Sequence, residues 1–330
     1  MRVMFMGTSE FAIPALTTLI AQNLEIIGVI TQPDRPSGRG KKFKPTPVKE
    51  IAVKHDLHVY QPERLRKKES VEYLKQLKPD VMVVAAFGQL LPQTALDIPP
   101  CGVINIHPSL LPKYRGAAPI QWTLINGEEE TGVTLMLLDA GEDTGDIICM
   151  ERIPIQLEDT AVTLHQKLAD IGARLLLEVL SNLQPGQPPS ASPQNHAEAT
   201  HAPRLTKDIG CINWSESSTI IHNLIRGTSG WPGAYTFFRE NTLIKIMQTI
   251  PCCSKENKLN ENSGTIRINT EQDLFVSTAN GEIQLLQVQP ATKKVMSAKD
   301  FVNGYQLKTG ECFVSSKSTT DGKKQELTMG

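Results

Sequence analysis

Gly102-Val103-Ile104-Asn105-Ile106-His107-Pro108-Ser109-Leu110-Leu111-Pro112 decides how the chain is read. An apolar run that stops at a polar segment punctuated by prolines has the pattern of a buried strand delivering its end to a surface loop. That is the usual place for chemistry in a parallel α/β sheet. Asn105 and His107 are two residues apart in extended chain, so their side chains point to the same side. One amide and one imidazole then converge on whatever lies there, a pairing suited to acyl chemistry. Taken alone, Asn-x-His is a weak signal, because Asn105 capping a turn and His107 satisfied within a loop give the same letters.

Working back from this stretch, Asp80-Val81-Met82-Val83-Val84-Ala85-Ala86 is a near-continuous apolar run ending at Phe87-Gly88, the pattern of a strand covered on both faces. Ser70 to Leu77 reads as a helix closed by Lys78-Pro79, and His58 to Tyr60 as a short strand. Val48 to Lys54 reads as a helix with Thr46 as N-cap and Pro47 at its first position, and Leu24 to Ile30 as a strand. At the start, apolar Val3 to Met6 ends at Gly7-Thr8-Ser9-Glu10, after which Phe11, Ala12, Ala15, Leu16, Leu19 and Ile20 recur at helical spacing, with Ser9 a candidate cap. This turn has one glycine and not Gly-x-Gly-x-x-Gly, so no dinucleotide cofactor is indicated. Strands alternating with helices predict a Rossmann-like, doubly wound, mostly parallel α/β sheet over residues 1–183.

Working forward, Arg115-Gly116-Ala117-Ala118-Pro119 opens a helix ending at Asn126-Gly127, and Thr131 to Leu138 makes a strand. That strand empties into Asp139-Ala140-Gly141-Glu142-Asp143-Thr144-Gly145-Asp146, a loop with four carboxylates, any of which could reach His107 if the two loops lie side by side. The acids lack EF-hand spacing, so calcium is not indicated. Ile147 to Ile155 is a strand, and Thr160 to Leu183 a long amphipathic helix capped by Asp159 or Thr160. Composition then shifts: Gln184-Pro185-Gly186-Gln187-Pro188-Pro189 opens a segment that reads as a linker over 184–206. A second domain is expected over 207–314, with a short strand at Ile209 to Trp214, a helix through Ile220 to Ile225 capped by Ser215 or Ser218, and five further short strands. Several short strands after one helix suggest a small OB-like barrel, with Ala279-Asn280-Gly281-Glu282 as a type I′ hairpin signal. Residues 315–330 read as a frayed tail.

The 330 residues carry a formal net charge of −1, which argues against wholesale wrapping of nucleic acid but leaves room for a local basic patch. Such a patch lies at Gln32 to Pro45, where five basic residues (Arg35, Arg39, Lys41, Lys42 and Lys44) face one acid, Asp34. Its two glycines and three prolines argue against regular structure, and a loop this long between strand and helix is usually functional. Arginine forks grip phosphate oxygens, so phosphate is the ligand it suits. The six cysteines form no Cys-x-x-Cys pair and have no histidines at ligand spacing, so neither zinc, another metal site, nor a disulfide framework is implied. No apolar run is long enough to span a membrane, and the opening Met1 to Met6 meets Gly7 too early for a signal-peptide core, so a cytoplasmic protein is expected.

Phe5-Met6-Gly7-Thr8-Ser9-Glu10-Phe11-Ala12, the basic loop, Asn105 to Gln121 and Asp139 to Gly145 together resemble the bacterial methionyl-tRNA formyltransferases. The resemblance continues beyond residue 203 in Arg204-Leu205-Thr206-Lys207, Ile212-Asn213-Trp214, and Arg226 with Trp231-Pro232, and so covers nearly the whole chain. The Asn-x-His-Pro-Ser-Leu-Leu-Pro block is specific for folate-dependent formyltransferases as a class; the basic loop and the second domain select the substrate. The resemblance implies transfer of the formyl group of 10-formyltetrahydrofolate, as co-substrate, to the α-amine of methionyl initiator tRNA. It implies Asn105, His107 and Asp143 as the catalytic set, with Asn105 and His107 donating to a tetrahedral oxyanion and Asp143 orienting His107. It implies folate contacts from Ser109, Leu110, Leu111 and Pro112, with Phe87 and Leu138 nearby, and a monomer. Arg35, Arg39, Lys41, Lys42, Lys207 and Arg226 are the candidate tRNA contacts. Two other readings stand beside it: a formyltransferase for a small amine such as glycinamide ribonucleotide or an amino-sugar nucleotide, and a non-catalytic RNA-binding protein. A pure binder has no use for the Asn105, His107 and acid set, and a small substrate does not require the basic loop or the second domain.

Overall fold

The computed structural model describes residues 1–37, 42–239, 242–252 and 262–315. The chain forms two compact units. The first comprises Met1–Thr123 and Glu128–Arg204, and the second Leu124–Gly127 and the chain from Leu205 onward.

The first unit is built on a seven-stranded sheet. In chain order its elements are β1 (Arg2–Gly7), α1 (Ile13–Ala21), β2 (Glu25–Ile30), β3 (Arg35–Ser37), β4 (Lys42–Lys44), α2 (Pro47–Lys54), β5 (Val59–Tyr60), α3 (Lys68–Leu77), β6 (Val81–Ala85) and α4 (Gln93–Leu96). There follow β7 (Val103–His107), α5 (Pro119–Ile125), β8 (Glu130–Leu137), β9 (Ile147–Pro154) and α6 (Ala161–Ser181). Strand order is β5-β2-β1-β6-β7-β8-β9. The pairings from β5 to β7 are parallel, whereas β8 runs antiparallel to β7 and β9 to β8. Every residue of β6 and β7 is buried, as expected for central strands covered on both faces. Met4, Met6, Met82, Val84 and Val103 share one cluster with Leu65, Leu74 and Phe87. Each fully buried side chain of this size contributes roughly 1.5–3 kcal/mol.

Local signals hold at several ends. Thr46 accepts from the Lys49 amide with Pro47 in the first turn of α2, and Thr160 forms a reciprocal capping box with Thr163 at α6. Ser9 precedes a 3-10 turn without a side-chain cap bond. The basic segment departs from expectation: β3 and β4 pair antiparallel, Arg35 with Lys44 and Ser37 with Lys42. A two-stranded ribbon has an open edge on each side, so a proline such as Pro36 is tolerated where its nitrogen is not needed for pairing.

The stretch read as a linker is laid against the first unit as far as Arg204. Ser192 exchanges both backbone hydrogen bonds with Ile147 at 2.8 Å each. The Arg115 N–H donates to the Thr200 carbonyl (2.9 Å), while the N–H groups of Ala202 and Ala118 are donors to the carbonyls of Arg115 and Ala202 at 2.7 and 3.1 Å. Residues 192–202 therefore form a strap between the segment after His107 and the start of β9.

The second unit contains α7 (Ser218–Gly227), β10 (Ala234–Phe238), β11 (Thr242–Cys252), β12 (Ile266–Ile268), β13 (Leu274–Thr278), β14 (Gly281–Pro290), β15 (Met296–Ser297) and α8 (Ala298–Tyr305). Its sheet runs β10-β11-β14-β13-β12, all antiparallel, with β15 on β14. Phe313 and Val314 close it: Phe313 bonds Gly264 ahead of β12, while Val314 exchanges bonds with Phe237 of β10 at 2.9 and 3.0 Å. Both sheet edges are thereby covered, which gives the barrel. Ile209 to Trp214 is not a strand; a 3-10 turn at Asp208–Gly210 and one bridge from Cys211 to Tyr235 replace it. Ser217, not Ser215 or Ser218, caps α7 through the Ile220 amide. The expected hairpin forms, but Thr278 pairs with Gly281, leaving Ala279 and Asn280 as the loop. Neither loop residue has positive φ, while Gly281 sits at +127°, so the turn is not type I′.

Candidate active site

Period two places Asn105 and His107 on one face of β7, while Ile106 faces the other way onto α6, where Gly172 leaves room for its methyl group. Because β8 is antiparallel, Leu137 pairs with Ile104 near the start of β7, and the acid loop leaves from there. Asp143 nevertheless lies 3.6 Å (Oδ2) from His107 Nδ1, so the loop doubles back along the β7 face. Gly145 permits this return: a Cβ there would stand 1.8 Å from the Leu137 carbonyl oxygen.

His107 is 4 % exposed and held from both sides. Its Nε2 lies 3.0 Å from the carbonyl oxygen of Tyr114, which can only accept, so Nε2 carries a hydrogen. Tyr114 itself has φ +61°, the left-handed turn that aims this carbonyl at the ring. Asp143 Oδ2 accepts from the Gly116 amide at 2.8 Å. The 3.6 Å separation from Nδ1 is an electrostatic contact and longer than a hydrogen bond. Asn105 is 8 % exposed and makes no side-chain hydrogen bond to a described residue, so its amide is left for a ligand.

These three residues open into a cleft of about 550 Å³, within the size range of small-molecule sites. One wall is apolar, from Phe87, Leu90, Leu91 and Leu138; Asp139 to Asp143 cross it, and Ser9, Phe11, Gln121, His165 and Arg204 line the remainder. His165 packs edge-on to Phe11 at 5.4 Å, and burial pushes its imidazole below the ordinary value, with Glu10 acting the other way. Of the four loop acids, Asp143 is the one at His107. Asp139 is taken up by Thr144 Oγ1 (2.7 Å) and the Gly141 amide (3.0 Å), while Glu142 and Asp146 are exposed.

Ser109, Leu110, Leu111 and Pro112 are not among the residues that line the cleft. Ser109 is fully buried and donates to the Lys113 carbonyl at 2.7 Å; Leu110 packs over Gly132 of β8. Thr134 Oγ1 donates to the Ser109 carbonyl (2.7 Å) and accepts from the Leu111 amide (3.2 Å). This segment is the underside of the loop, folded inward because its backbone finds partners on β8, and it shapes the site from beneath.

Of the cationic candidates, Arg35 is exposed on β3 and donates to Gln32 Oε1 at 3.3 Å. Gln32 Nε2 in turn donates to the Gly88 carbonyl of the cleft wall at 2.9 Å. Asp34 anchors the base of the hairpin, bound by Lys49 (2.6 Å) and Gln61 (2.7 Å), contacts that hold its carboxyl below the usual range. Arg39 and Lys41 lie outside the described residues, as does the side chain of Lys42. In the second unit, Lys207 is exposed and Arg226 is half-buried, its Nε donating to Asn223 Oδ1 at 2.9 Å.

Sequence reading missed Gln194, buried in the strap, and the buried Arg115 that it bonds. The only signal was negative: a glutamine in a proline-rich stretch carries no periodicity. Among the described residues, no helix is long and apolar enough to cross a membrane.

Residues 1–180 match the formyl transferase family, and residues 204–306 match the formyl transferase C-terminal domain. A methionyl-tRNA formyltransferase of Acetivibrio thermocellus is 44 % identical over 311 residues, covering 94 % of this chain and 99 % of the relative. Another, of Syntrophus aciditrophicus, is 46 % identical over 308 residues, covering 93 % and 97 %. Among solved structures, an N-formyltransferase of Helicobacter canadensis in complex with folinic acid and dTDP-3-aminofucose has a TM-score of 0.62 at 21 % identity. It covers 86 % of this chain and 98 % of that one, a likeness of fold. With two such relatives matched nearly end to end, the chain belongs to the methionyl-tRNA formyltransferase family.

Proposed function

We propose that the protein transfers the formyl group of 10-formyltetrahydrofolate to the α-amine of methionyl initiator tRNA. The observation that carries this reading is the unengaged Asn105 amide beside His107 and Asp143 at one wall of a partly apolar cleft. The amine nitrogen attacks the formyl carbon to give a tetrahedral centre, the C–N10 bond breaks, and the proton lost by the amine ends on N10. An N–H of Asn105 stabilises the oxyanion, where a well-placed donor is typically worth ~10²–10³ in rate. His107, held by Tyr114 and faced by Asp143, moves the proton. The pterin fits the wall of Phe87, Leu90, Leu91 and Leu138, with Ser109 to Pro112 acting through the shape of the loop.

Arg35 on the hairpin, with Arg39, Lys41 and Lys42 of the same segment, supplies charge for the tRNA backbone, and Lys207 and Arg226 add to it from the second unit. A cytoplasmic monomer suffices for this chemistry. The test is a transfer assay with 10-formyltetrahydrofolate, offering charged initiator tRNA, charged elongator tRNA, free methionine and small amino-sugar nucleotides separately. Formylation confined to the initiator tRNA is expected. Turnover of a small amine at a comparable rate would replace the reading.

A further inference from the structure

The strap contains one side chain whose bonding is complete in an unusual way. Gln194 is 5 % exposed, and its Nε2 donates to the carbonyls of Asp143 (3.0 Å) and Gly145 (2.7 Å). Its Oε1 accepts from Nε (3.2 Å) and Nη2 (2.7 Å) of Arg115, whose Nη2 also meets His196 Nδ1 at 3.1 Å. Both donors and both acceptor positions of the carboxamide are used, and among side chains only asparagine, one methylene shorter, offers the same planar group. Glutamate would keep the acceptors and lose the donors; an alkyl chain would lose all four.

These bonds bear on the acid that faces His107. Asp143 has φ +54°, a conformation uncommon outside glycine, and its carbonyl needs a partner where it points inward. Its carboxylate is held from the other side by the Gly116 amide, next in sequence to Arg115. Gln194 therefore ties Arg115 and Gly116 on one side to Asp143 and Gly145 on the other. The strap itself does not depend on this clasp, since the pairings of Ser192 with Ile147 and of Thr200 and Ala202 with Arg115 and Ala118 seat it by backbone alone.

We infer that Gln194 is a positioning residue that sets the Asp143 carboxylate against His107, making the strap a working part of the active site. The inference rests on the proposed role of Asp143 in formyl transfer. Displacing a reacting group by about 1 Å can cost ~10²-fold in rate. Gln194→Ala should thus lower kcat about ten- to a hundredfold while both KM values stay within about twofold. The diagnostic readout is the double variant: because Gln194 acts through Asp143, Q194A placed on Asp143→Asn should cost less than about twofold further. Gln194→Glu, which keeps the Arg115 contact and the volume, should not rescue kcat, because the lost function is donation to the two carbonyls. Melting curves of the full chain should show both single variants folded.

Wild-type kcat in Q194A, recovery in Q194E, or an undiminished further loss on the D143N background would each overturn the inference. Failure of both variants to fold would do the same, by making Gln194 a residue of stability. If D143N itself keeps wild-type turnover, the role of Asp143 fails instead, a result distinguishable from the others.

Discussion

The end of β7 with the loop after it and the β3–β4 hairpin lie at the same edge of one mostly parallel sheet and are built in opposite ways. On the first, Asn105, His107, Ser109, Leu111 and Arg115 are buried, and backbone and side chains are cross-bonded to β8, the acid loop and the strap. On the second, Arg35 and Lys44 are exposed, Phe43 is 72 % exposed, and side-chain anchorage is concentrated at the base, through Asp34 and Gln32. The difference follows the task. Acyl transfer requires donors fixed to within about half an ångström of their working positions. Attraction of a polyanion acts over a Debye length of roughly 8–10 Å and tolerates mobile charge.

Breaking the fixed side should have the largest effect. His107→Ala and Asp143→Asn should each lower kcat by ~10²–10⁴ and leave folate affinity within a few-fold. Their double variant should lose far less than the product, since the pair acts as a unit. Near-wild-type turnover in Asp143→Asn would end its assignment, and equal effects of hairpin and cleft variants on kcat would end the comparison.

The support beneath the loop is tested next. Thr134 is fully buried, and Thr134→Val strands the Ser109 carbonyl and the Leu111 amide without changing shape. Urea unfolding should report a loss of about 1–3 kcal/mol. A change within a few tenths would mean that the loop holds its form without β8.

In the basic segment, Arg39→Ala should reduce kcat/KM for charged initiator tRNA by about tenfold, roughly 1.4 kcal/mol, with folate binding unchanged. Arg39→Lys should restore only part, since a point charge does not reproduce the fork. A salt series gives the decisive readout, each lost phosphate contact flattening the slope by about 0.7. Identical slopes in variant and wild type would move tRNA selection to the second unit, beginning with Lys207 and Arg226.

The smallest effect is expected at the hairpin base. Asp34→Asn removes the half-buried ion pair with Lys49 and should raise the tRNA KM only a few-fold. The Lys49 and Gln61 contacts lower the folded-state value of this carboxyl. Its contribution is therefore present above the unfolded value of about 3.9 and lost as pH falls through the lowered one. Between pH 6 and 8 the difference between variant and wild type should be constant; a slope there would implicate another group.

How far each part could be read in the sequence depends on the range of the interaction that sets it. Thr46 with Pro47, Thr160 ahead of α6, the apolar run of β6 and the shared face of Asn105 and His107 are decided within a few residues by capping and periodicity. The amino-acid sequence alone therefore determined the alternation of elements, the doubly wound class and the family, together with the amide and imidazole pair. The tertiary structure decided what rests on partners far apart in the chain. Asp143 is singled out from four acids by a loop that folds back because β8 is antiparallel, and its carboxylate is bonded 27 residues away at Gly116. Gln194 reaches Asp143 across 51 residues from a stretch whose composition reads as a linker. Ser109 to Pro112 turn inward because β8 offers their backbone partners, and Val314 closes the barrel onto Phe237, 77 residues earlier in the chain. Hydrogen-bond satisfaction of buried backbone, which depends on strand order and direction, decided each of these.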